Sequence, residues 1–239
     1  MITNTNLSPA NLARNWVRRR ALIIAPDPQF GLLISKDVQP NFDLITFSYD
    51  SSPINPELLN GVSAAEHFSF QSEFWGESFL KLCKLIVDKY DVVCFMNSDI
   101  YAQVHQLNRF FDIVDLFKLD FSQPALSRSS FYSHEFTLFN PLHSVVVSPF
   151  VEIMMPCLSN TVIREIVSIN LTTISGWGID IHLFPFIQRR LGLRLPAIVH
   201  ECVVIHCKPV QSSRLYSDGL SASQQAHMLE LQLNSLDRL

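Results

Sequence analysis

The stretch Asp91 to Ile100 has residue types that could hold a metal ion and a diphosphate. Five apolar residues, Val92 to Met96, lead directly into Asn97, Ser98 and Asp99. A short uninterrupted apolar run is typical of a strand buried on both faces of a parallel sheet, and ligands collect beyond the carboxyl ends of such strands. Carboxylate and amide oxygens suit a hard divalent cation, which can in turn bind a diphosphate. The alternative is that these polar residues only end the strand and cap the next helix.

A tryptophan between two glycines is the sharpest local pattern, in the segment from Ser175 to Asp180. The glycines permit a tight turn that exposes the indole of Trp177, and an exposed indole is suited to stacking on a sugar ring. Asp180 would then accept a proton from a sugar hydroxyl as a general base. The alternative is a helix start, with Trp177 in the core and Asp180 favouring the first helical turn.

Glu152 is a single charge within the apolar segment Phe150 to Met155. Burial of a carboxylate without a partner is costly, so this residue is expected to face a cleft or a cation. The alternative is that strand alternation turns it toward solvent.

Four potential zinc ligands lie near the end of the segment Ala197 to Lys208, namely His200, Cys202, His206 and Cys207. On a strand, adjacent residues such as His206 and Cys207 point to opposite faces, and the spacing matches no usual zinc module. We therefore expect His206 alone, at the strand end, to act as a metal ligand.

Composition favours a globular protein that does not bind nucleic acid. The 239-residue chain is 48% hydrophobic and carries a net charge of −4. It has no glycine-rich phosphate loop, so a metal or side chains must neutralise any bound nucleotide. No apolar run approaches the ~20 residues that span a bilayer, residues 1–9 lack the core of a signal peptide, and the cysteines are scattered. These features predict a cytoplasmic protein.

The basic cluster Arg14 and Arg18 to Arg20 leaves open contact with anionic lipid or a lipid-linked substrate.

These residues must be positioned by regular elements that alternate along the chain. Apolar runs predict strands at 20–25, 42–50, 92–96 and 197–206, with helices at 73–89, after Asp99, and at 161–171. This order indicates an α/β protein with a largely parallel sheet. Residues 121–126 are interpreted as a short strand or loop, 127–140 as a loop over the site, and 144–155 as a strand. A helix over 221–239 would pack on the domain, pair with a second copy, or lie on a membrane surface.

Four segments together resemble the domain-of-unknown-function family 707, whose members are glycosyltransferase-like. They are Tyr90 to Ile100, Phe150 to Pro156, Gly176 to Asp180 and Val203 to His206, in this order within residues 20–210. The wider similarity is to glycosyltransferases of the GT-A fold. The resemblance implies a GT-A-like, Rossmann-like α/β fold with a mostly parallel central sheet flanked by helices. It implies a single domain over 13–210, with a nucleotide-sugar half (13–126), an acceptor half (127–210) and a C-terminal amphipathic helix or tail (211–239).

The resemblance also assigns roles to individual residues. Asp99 matches the final acid of the family's Asp-x-Asp motif and His206 its late histidine, so that Asn97, Asp99 and His206 would bind Mn²⁺ or Mg²⁺. The nucleotide-sugar would be bound by Tyr49, Asp50, Lys84 and Asp99. Asp180 would be the base, and Glu152 and Trp177 would bind the acceptor. Asn97 departs from the family pattern, which has an acid there.

The sequence thus predicts a metal-assisted hexosyltransferase that acts on a glycan or lipid-linked glycan, in the cytoplasm or at the inner membrane face, in bacterial surface polysaccharide synthesis. The rival from another class is a non-catalytic nucleotide- or glycan-binding module with a degenerate site. Asn97 in place of an acid is the feature that supports it.

Overall fold

Buried apolar strands form one central sheet. The computed structural model describes residues 18–53, 55–209 and 214–236. Six strands run in one direction, namely β1 (Arg20–Ile24), β3 (Asp43–Ser48), β4 (Glu66–Ser69), β5 (Val92–Met96), β7 (Phe121–Leu126) and β10 (Ala197–His206). Four run the opposite way, namely β2 (Ile34–Ser35), β6 (Ile100–Gln103), β8 (Val145–Val147) and β9 (Cys157–Ser159). The mostly parallel sheet is therefore confirmed.

The strand order sets the predicted site strands near the middle of the sheet. The order is β2-β6-β10-β7-β9-β5-β1-β3-β4, and β8 pairs with β10. All five residues of β5 are buried, as a continuous apolar run between two layers requires. The antiparallel β9 lies between β5 and β7, which therefore run parallel to each other.

Helices cover both faces of the sheet. One face is packed by α1 (Trp75–Ile86), α3 (Asn160–Ile169), α4 (Phe184–Arg190) and α5 (Ala222–Leu236), and the other by α2 (Val104–Phe117). The period of two along β1 sends Ala21 and Ile23 into the first core and Leu22 and Ile24 into the second. The two cores hold the sheet rigidly, so that its edges can position side chains.

The C-terminal helix α5 packs on the domain. Leu229 and Leu233 lie in the same apolar core as Phe79 and Phe184, which is the first of the three arrangements considered from the sequence. Met228 and Leu231 remain about half exposed, at 49% and 50%. None of the helices in the described ranges has the length and apolar character that crossing a membrane requires.

The strand predicted over 144–155 is wrong for most of its length. Only Val145–Val147 is a strand, and residues 148–156 follow an irregular path. Pro149 and Pro156 have no amide hydrogen and cannot donate to a sheet ladder, so they interrupt the strand. The segment instead follows the end of β5, where the amides of Phe95 and Asn97 donate to carbonyls of Pro156 and Met154 at 2.9 Å each. This path carries Glu152 toward Asn97.

Candidate active site

The carboxyl ends of the parallel strands meet at one edge of the sheet. Asp27 follows β1, Tyr49 follows β3, Asp99 follows β5, and His206 is the last residue of β10. Because these strands run in the same direction, the side chains beyond their ends share this edge. The sheet topology therefore brings together residues that are far apart in sequence.

Strand pairing sets Asp99 beside His206. In the antiparallel pair of β6 and β10, Ile100 lies opposite His206, and the amide of Cys207 donates to the Asp99 carbonyl oxygen at 2.9 Å. As a result, the His206 Nε2 and Asp99 Oδ2 atoms lie 3.4 Å apart. His206 is only 5% exposed, so its imidazole is held within the protein and not in solvent.

A backbone contact orients the His206 ring. The Nδ1 atom lies 2.8 Å from the carbonyl oxygen of Phe131, and because a carbonyl oxygen only accepts, Nδ1 carries a proton. The Nε2 atom therefore faces Asp99 as a lone pair or as a second N–H. Burial alone would lower the pKa of His206, but the hydrogen bond and charge of Asp99, together with the Phe131 contact, outweigh it and raise the pKa. The surroundings of His206 therefore favour a positive charge.

Two further oxygen atoms at this point are buried without a hydrogen-bond partner in the described structure, Asn97 Oδ1 and Asp99 Oδ1. A buried acceptor left unpaired costs about 1–3 kcal/mol. With His206 Nε2, these oxygens provide the O and N donor types that Mn²⁺ accepts. Across the described ranges, no group of three or more His, Cys, Asp and Glu side chains is arranged to hold a metal ion. The set fits a cation only as an open site that takes its other ligands from a bound diphosphate or water.

Glu152 is buried, with 6% of its surface exposed, so it does not face solvent as the alternative interpretation had it. Its amide donates to Gln123 Oε1 at 2.6 Å, and its Oε2 has no hydrogen-bond partner in the part of the chain that the structure describes. Burial raises the pKa of Glu152 to about 7, with a contribution from the charge of Asp180, against the opposing effects of Gln123 and His206. Glu152 is thus near both the Asp180 carboxyl and the His206 imidazole.

Asp180 lies against the same irregular segment. It belongs to a π-helical turn, Ile179–Leu183, and its two carboxyl oxygens accept from the amides of Ile181 at 3.0 Å and Ile153 at 3.4 Å. Burial raises the pKa of Asp180, although these amides and the charge of His134 act in the opposite direction. A carboxyl with a raised pKa is well suited to proton transfer.

The glycines around Trp177 are needed for close backbone packing as well as for the turn. Gly176 and Gly178 have positive φ, 84° and 91°, which favours glycine. A Cβ on Gly76 of α1 would lie 2.1 Å from the Gly176 nitrogen, and one on Gly178 would lie 3.0 Å from the Cα of Ala226 in α5. The turn is therefore held between two helices. Trp177 is partly buried, and Asp180 is the second residue of the helical turn just beyond it.

Two of the predicted nucleotide-binding residues, Tyr49 and Asp50, follow β3 at this edge of the sheet. Burial and the charge of Asp99 raise the pKa of Tyr49, so this phenol lies near Asp99. Asp50 is exposed, and its Oδ1 accepts from the hydroxyl of Ser52 at 2.5 Å.

Lys84 requires a correction. It is exposed in the last turn of α1 and donates to Asn170 Oδ1 at 2.9 Å. Since α1 leads into the start of β5, Lys84 lies toward the opposite edge of the sheet from Asp99. The apolar period predicts the helix that carries Lys84, but it does not show which edge of the sheet Lys84 approaches.

Several neighbours of the site were missed from the sequence. Lys208 donates to Asp27 Oδ2 at 2.7 Å and joins the ends of β10 and β1. His134 lies near Asp180, and Phe131 orients His206 through a backbone carbonyl, which leaves no signal in residue type. Lys208 and Asp27 each lie two or three residues beyond a strand end, a position that could have marked them.

Known structures share this fold at low identity. TarS residues 1–349 from S. aureus, crystallised with UDP-GlcNAc, is 11% identical over 90% of this chain and 66% of that chain, with a TM-score of 0.55. GalNAc-T7 with UDP, GalNAc and Mn²⁺ is 9% identical over 90% of this chain and 48% of that one, with a TM-score of 0.55. A mycobacterial protein is 14% identical over 97% of this chain and 80% of that one, with a TM-score of 0.53.

TarS and GalNAc-T7 are glycosyltransferases of the GT-A fold, and the predicted GT-A-like fold is therefore confirmed. The chain spans about two thirds of the TarS structure and about half of the GalNAc-T7 structure. No protein-family model matches the chain. No curated protein matches it either.

Proposed function

We propose that this chain is a hexosyltransferase that moves a sugar from a nucleotide-sugar to a glycan or lipid-linked glycan. The observation that carries the proposal is the group of unpaired acceptors at the carboxyl edge, Asn97 Oδ1 and Asp99 Oδ1, next to His206. The proposal includes membership of the domain-of-unknown-function family 707 and a role in bacterial surface polysaccharide synthesis at the cytoplasmic face of the membrane. Residues 13–126 would form the donor half and 127–210 the acceptor half.

Asn97, Asp99 and His206 would hold Mn²⁺ or Mg²⁺ at the donor diphosphate. When bound, the divalent cation supplies the positive charge that stabilises the departing nucleoside diphosphate. The Nδ1 contact of His206 with Phe131, at 2.8 Å, keeps Nε2 pointed at Asp99 and so fixes the ligand atom in advance. Tyr49 and Asp50 would bind the base and ribose at the end of β3.

The acceptor half would supply the proton chemistry. Glu152 and Trp177 would orient the acceptor, and Asp180 would remove the proton from the attacking hydroxyl if the anomeric centre inverts. The burial that raises the pKa of Asp180 makes its carboxylate a stronger base than an exposed aspartate.

The rival function is a nucleotide- or glycan-binding module that has lost catalysis. It is favoured by Asn97 in place of an acid and by the finding that no three-residue group of His, Cys, Asp and Glu within the described ranges is arranged for a metal. In that case the unpaired oxygens would accept hydrogen bonds from a ligand directly. The two functions differ in whether binding and turnover need a divalent cation.

Thermal unfolding with a panel of nucleoside diphosphates and nucleotide-sugars, each with and without Mn²⁺, tests the proposal. Saturation at a hundredfold excess over the dissociation constant stabilises the native state by ~2.7 kcal/mol. We expect a shift that needs both nucleotide and Mn²⁺ and that Asp99→Asn abolishes. The matched control is Asp43→Asn, an aspartate at the amino end of β3 whose carboxylate accepts from the hydroxyl of Tyr90.

Release of nucleoside diphosphate from the same panel then separates the two functions. Mn²⁺-dependent hydrolysis or transfer from any nucleotide-sugar excludes the binding-only module. A shift that is independent of Mn²⁺, without turnover, would favour that module. If no nucleotide shifts the unfolding temperature, the donor site is absent and the proposal fails.

A further inference from the structure

Three aromatic rings form a cluster beside the two buried carboxyls. The His134 and Phe136 rings lie 5.3 Å apart at an interplanar angle of 21°. Phe150 meets both rings edge to face, at 5.0 Å from His134 and 5.2 Å from Phe136. We call His134, Phe136 and Phe150 the aromatic platform. Edge-to-face packing of this kind stabilises the rings in fixed orientations.

The aromatic platform keeps apolar surface in contact with solvent. Phe136 is 37% exposed, and its loop neighbours Phe131 and Tyr132 are 48% and 45% exposed. Apolar side chains that are grouped at the surface are characteristic of a binding site. Local packing therefore accounts for the orientation of these rings but not for their exposure.

Backbone contacts hold the loop that carries the platform in place. The amide of Phe131 donates to the His206 carbonyl oxygen at 3.1 Å, and the amide of Phe139 donates to Leu126 at 2.8 Å. Between them, the hydroxyl of Thr137 donates to the His134 carbonyl oxygen at 2.7 Å. The loop is thus tied to the ends of β7 and β10, and the platform is formed before any ligand arrives.

The platform adjoins the groups proposed for acceptor chemistry. The charge of His134 lowers the pKa of Asp180, so these two side chains are near each other. Phe150 precedes Glu152 by two residues in the irregular segment. The Asp180 carboxyl is therefore near the platform.

We propose that the aromatic platform is the acceptor subsite and that it binds a pyranose ring by stacking. The inference rests on the proposed transferase function. A pyranose has an apolar C–H face that suits an aromatic ring and a rim of hydroxyls that suits carboxyls, and this site offers both. A lipid chain would need a continuous apolar groove, whereas the platform includes the polar imidazole of His134 and has the Asp180 carboxyl near it.

Saturation-transfer NMR of the full chain with p-nitrophenyl glycosides of glucose, galactose, mannose and N-acetylglucosamine tests the subsite directly. We expect binding to the unmodified protein, about tenfold weaker binding to Phe136→Ala, and recovery in Phe136→Tyr, which keeps the ring. The matched control is Phe117→Ala, a phenylalanine that is 46% exposed at the end of α2 and that should change nothing. Thermal unfolding of each variant shows that it is folded.

The kinetic counterpart is the acceptor KM for the glycoside that binds best, measured with the donor that the unmodified protein hydrolyses. We expect Phe136→Ala to raise the acceptor KM about tenfold. Absence of glycoside binding to the unmodified protein, or equal binding to Phe136→Ala, overturns the subsite. Absence of donor hydrolysis by the unmodified protein overturns the proposed function instead, and the two failures are therefore distinguishable.

Discussion

Two groups of ionisable side chains in the site are positioned by different kinds of structure. Asp99 and His206 follow regular strands, and the pairing of Ile100 with His206 sets them 3.4 Å apart. Glu152 and Asp180 are instead held by contacts of the irregular segment. The amide of Glu152 donates to Gln123 Oε1, and the amide of Ile153 donates to Asp180 Oδ2. The first group depends on sheet topology, and the second depends on contacts that each loop makes individually.

The two groups also differ electrostatically. In the first, the charge of Asp99 raises the pKa of His206 against the effect of burial, so attraction to a positive charge dominates. In the second, burial is the main cause that raises the pKa values of Glu152 and Asp180, so the neutral acid is favoured. A site with an attractor for cations on one side and weak acids on the other can bind a diphosphate and move a proton.

The largest expected effect comes from Asp180→Asn, which keeps the shape of the side chain and removes the base. We expect the transfer rate to fall by about 10²–10⁴-fold, the usual contribution of general base catalysis. The Mn²⁺-dependent thermal shift with nucleotide should remain, because that shift belongs to the other group. Initial rates of sugar transfer measure the effect, and full activity in this variant would remove the base assignment.

Substitution of Gly76 tests how far the irregular group depends on close packing. Alanine in place of glycine normally stabilises a helix by about 1 kcal/mol, yet here the new Cβ would lie 2.1 Å from the Gly176 nitrogen. We expect Gly76→Ala to lower the free energy of unfolding by about 3 kcal/mol, because the obstacle is backbone. Urea denaturation measures the loss.

Lys84→Ala is the control for this substitution, since Lys84 is exposed on the same helix and its loss should cost less than about 0.5 kcal/mol. An unchanged or higher stability of Gly76→Ala would mean that the turn around Trp177 is free to move away from α1.

The sequence predicted the regular group better than the irregular one, for a physical reason. Continuous apolar runs identify β5 and β10, and parallel strands share an edge, so the juxtaposition of Asp99 and His206 follows from pattern and topology. The path of residues 148–156 has no periodic signal, because its amides donate to side chains and its carbonyl oxygens accept from amides at the end of β5. Sequence therefore indicated Glu152 as unusual without locating it, and it gave no information on which edge of the sheet Lys84 approaches.

The smallest effect is a pH dependence of stability that belongs to Glu152. Its pKa rises from 4.5 to about 7 on folding, so the folded protein binds this proton more tightly than the unfolded chain does. Stability is therefore greatest below about pH 4.5 for this group and is lost as pH rises toward 7. A shift of this size corresponds to on the order of 3 kcal/mol.

Glu152→Gln removes the titrating group and keeps its size, so its stability should vary less between those two pH values than that of the unmodified protein. Urea denaturation in the presence of EDTA at a series of pH values measures the difference and avoids competition from bound metal. His206 also loses stability as pH rises through its raised pKa, and for this reason the readout is the difference between the two curves. Parallel curves would mean that the pKa of Glu152 is the same in the folded and the unfolded chain, which would contradict this prediction.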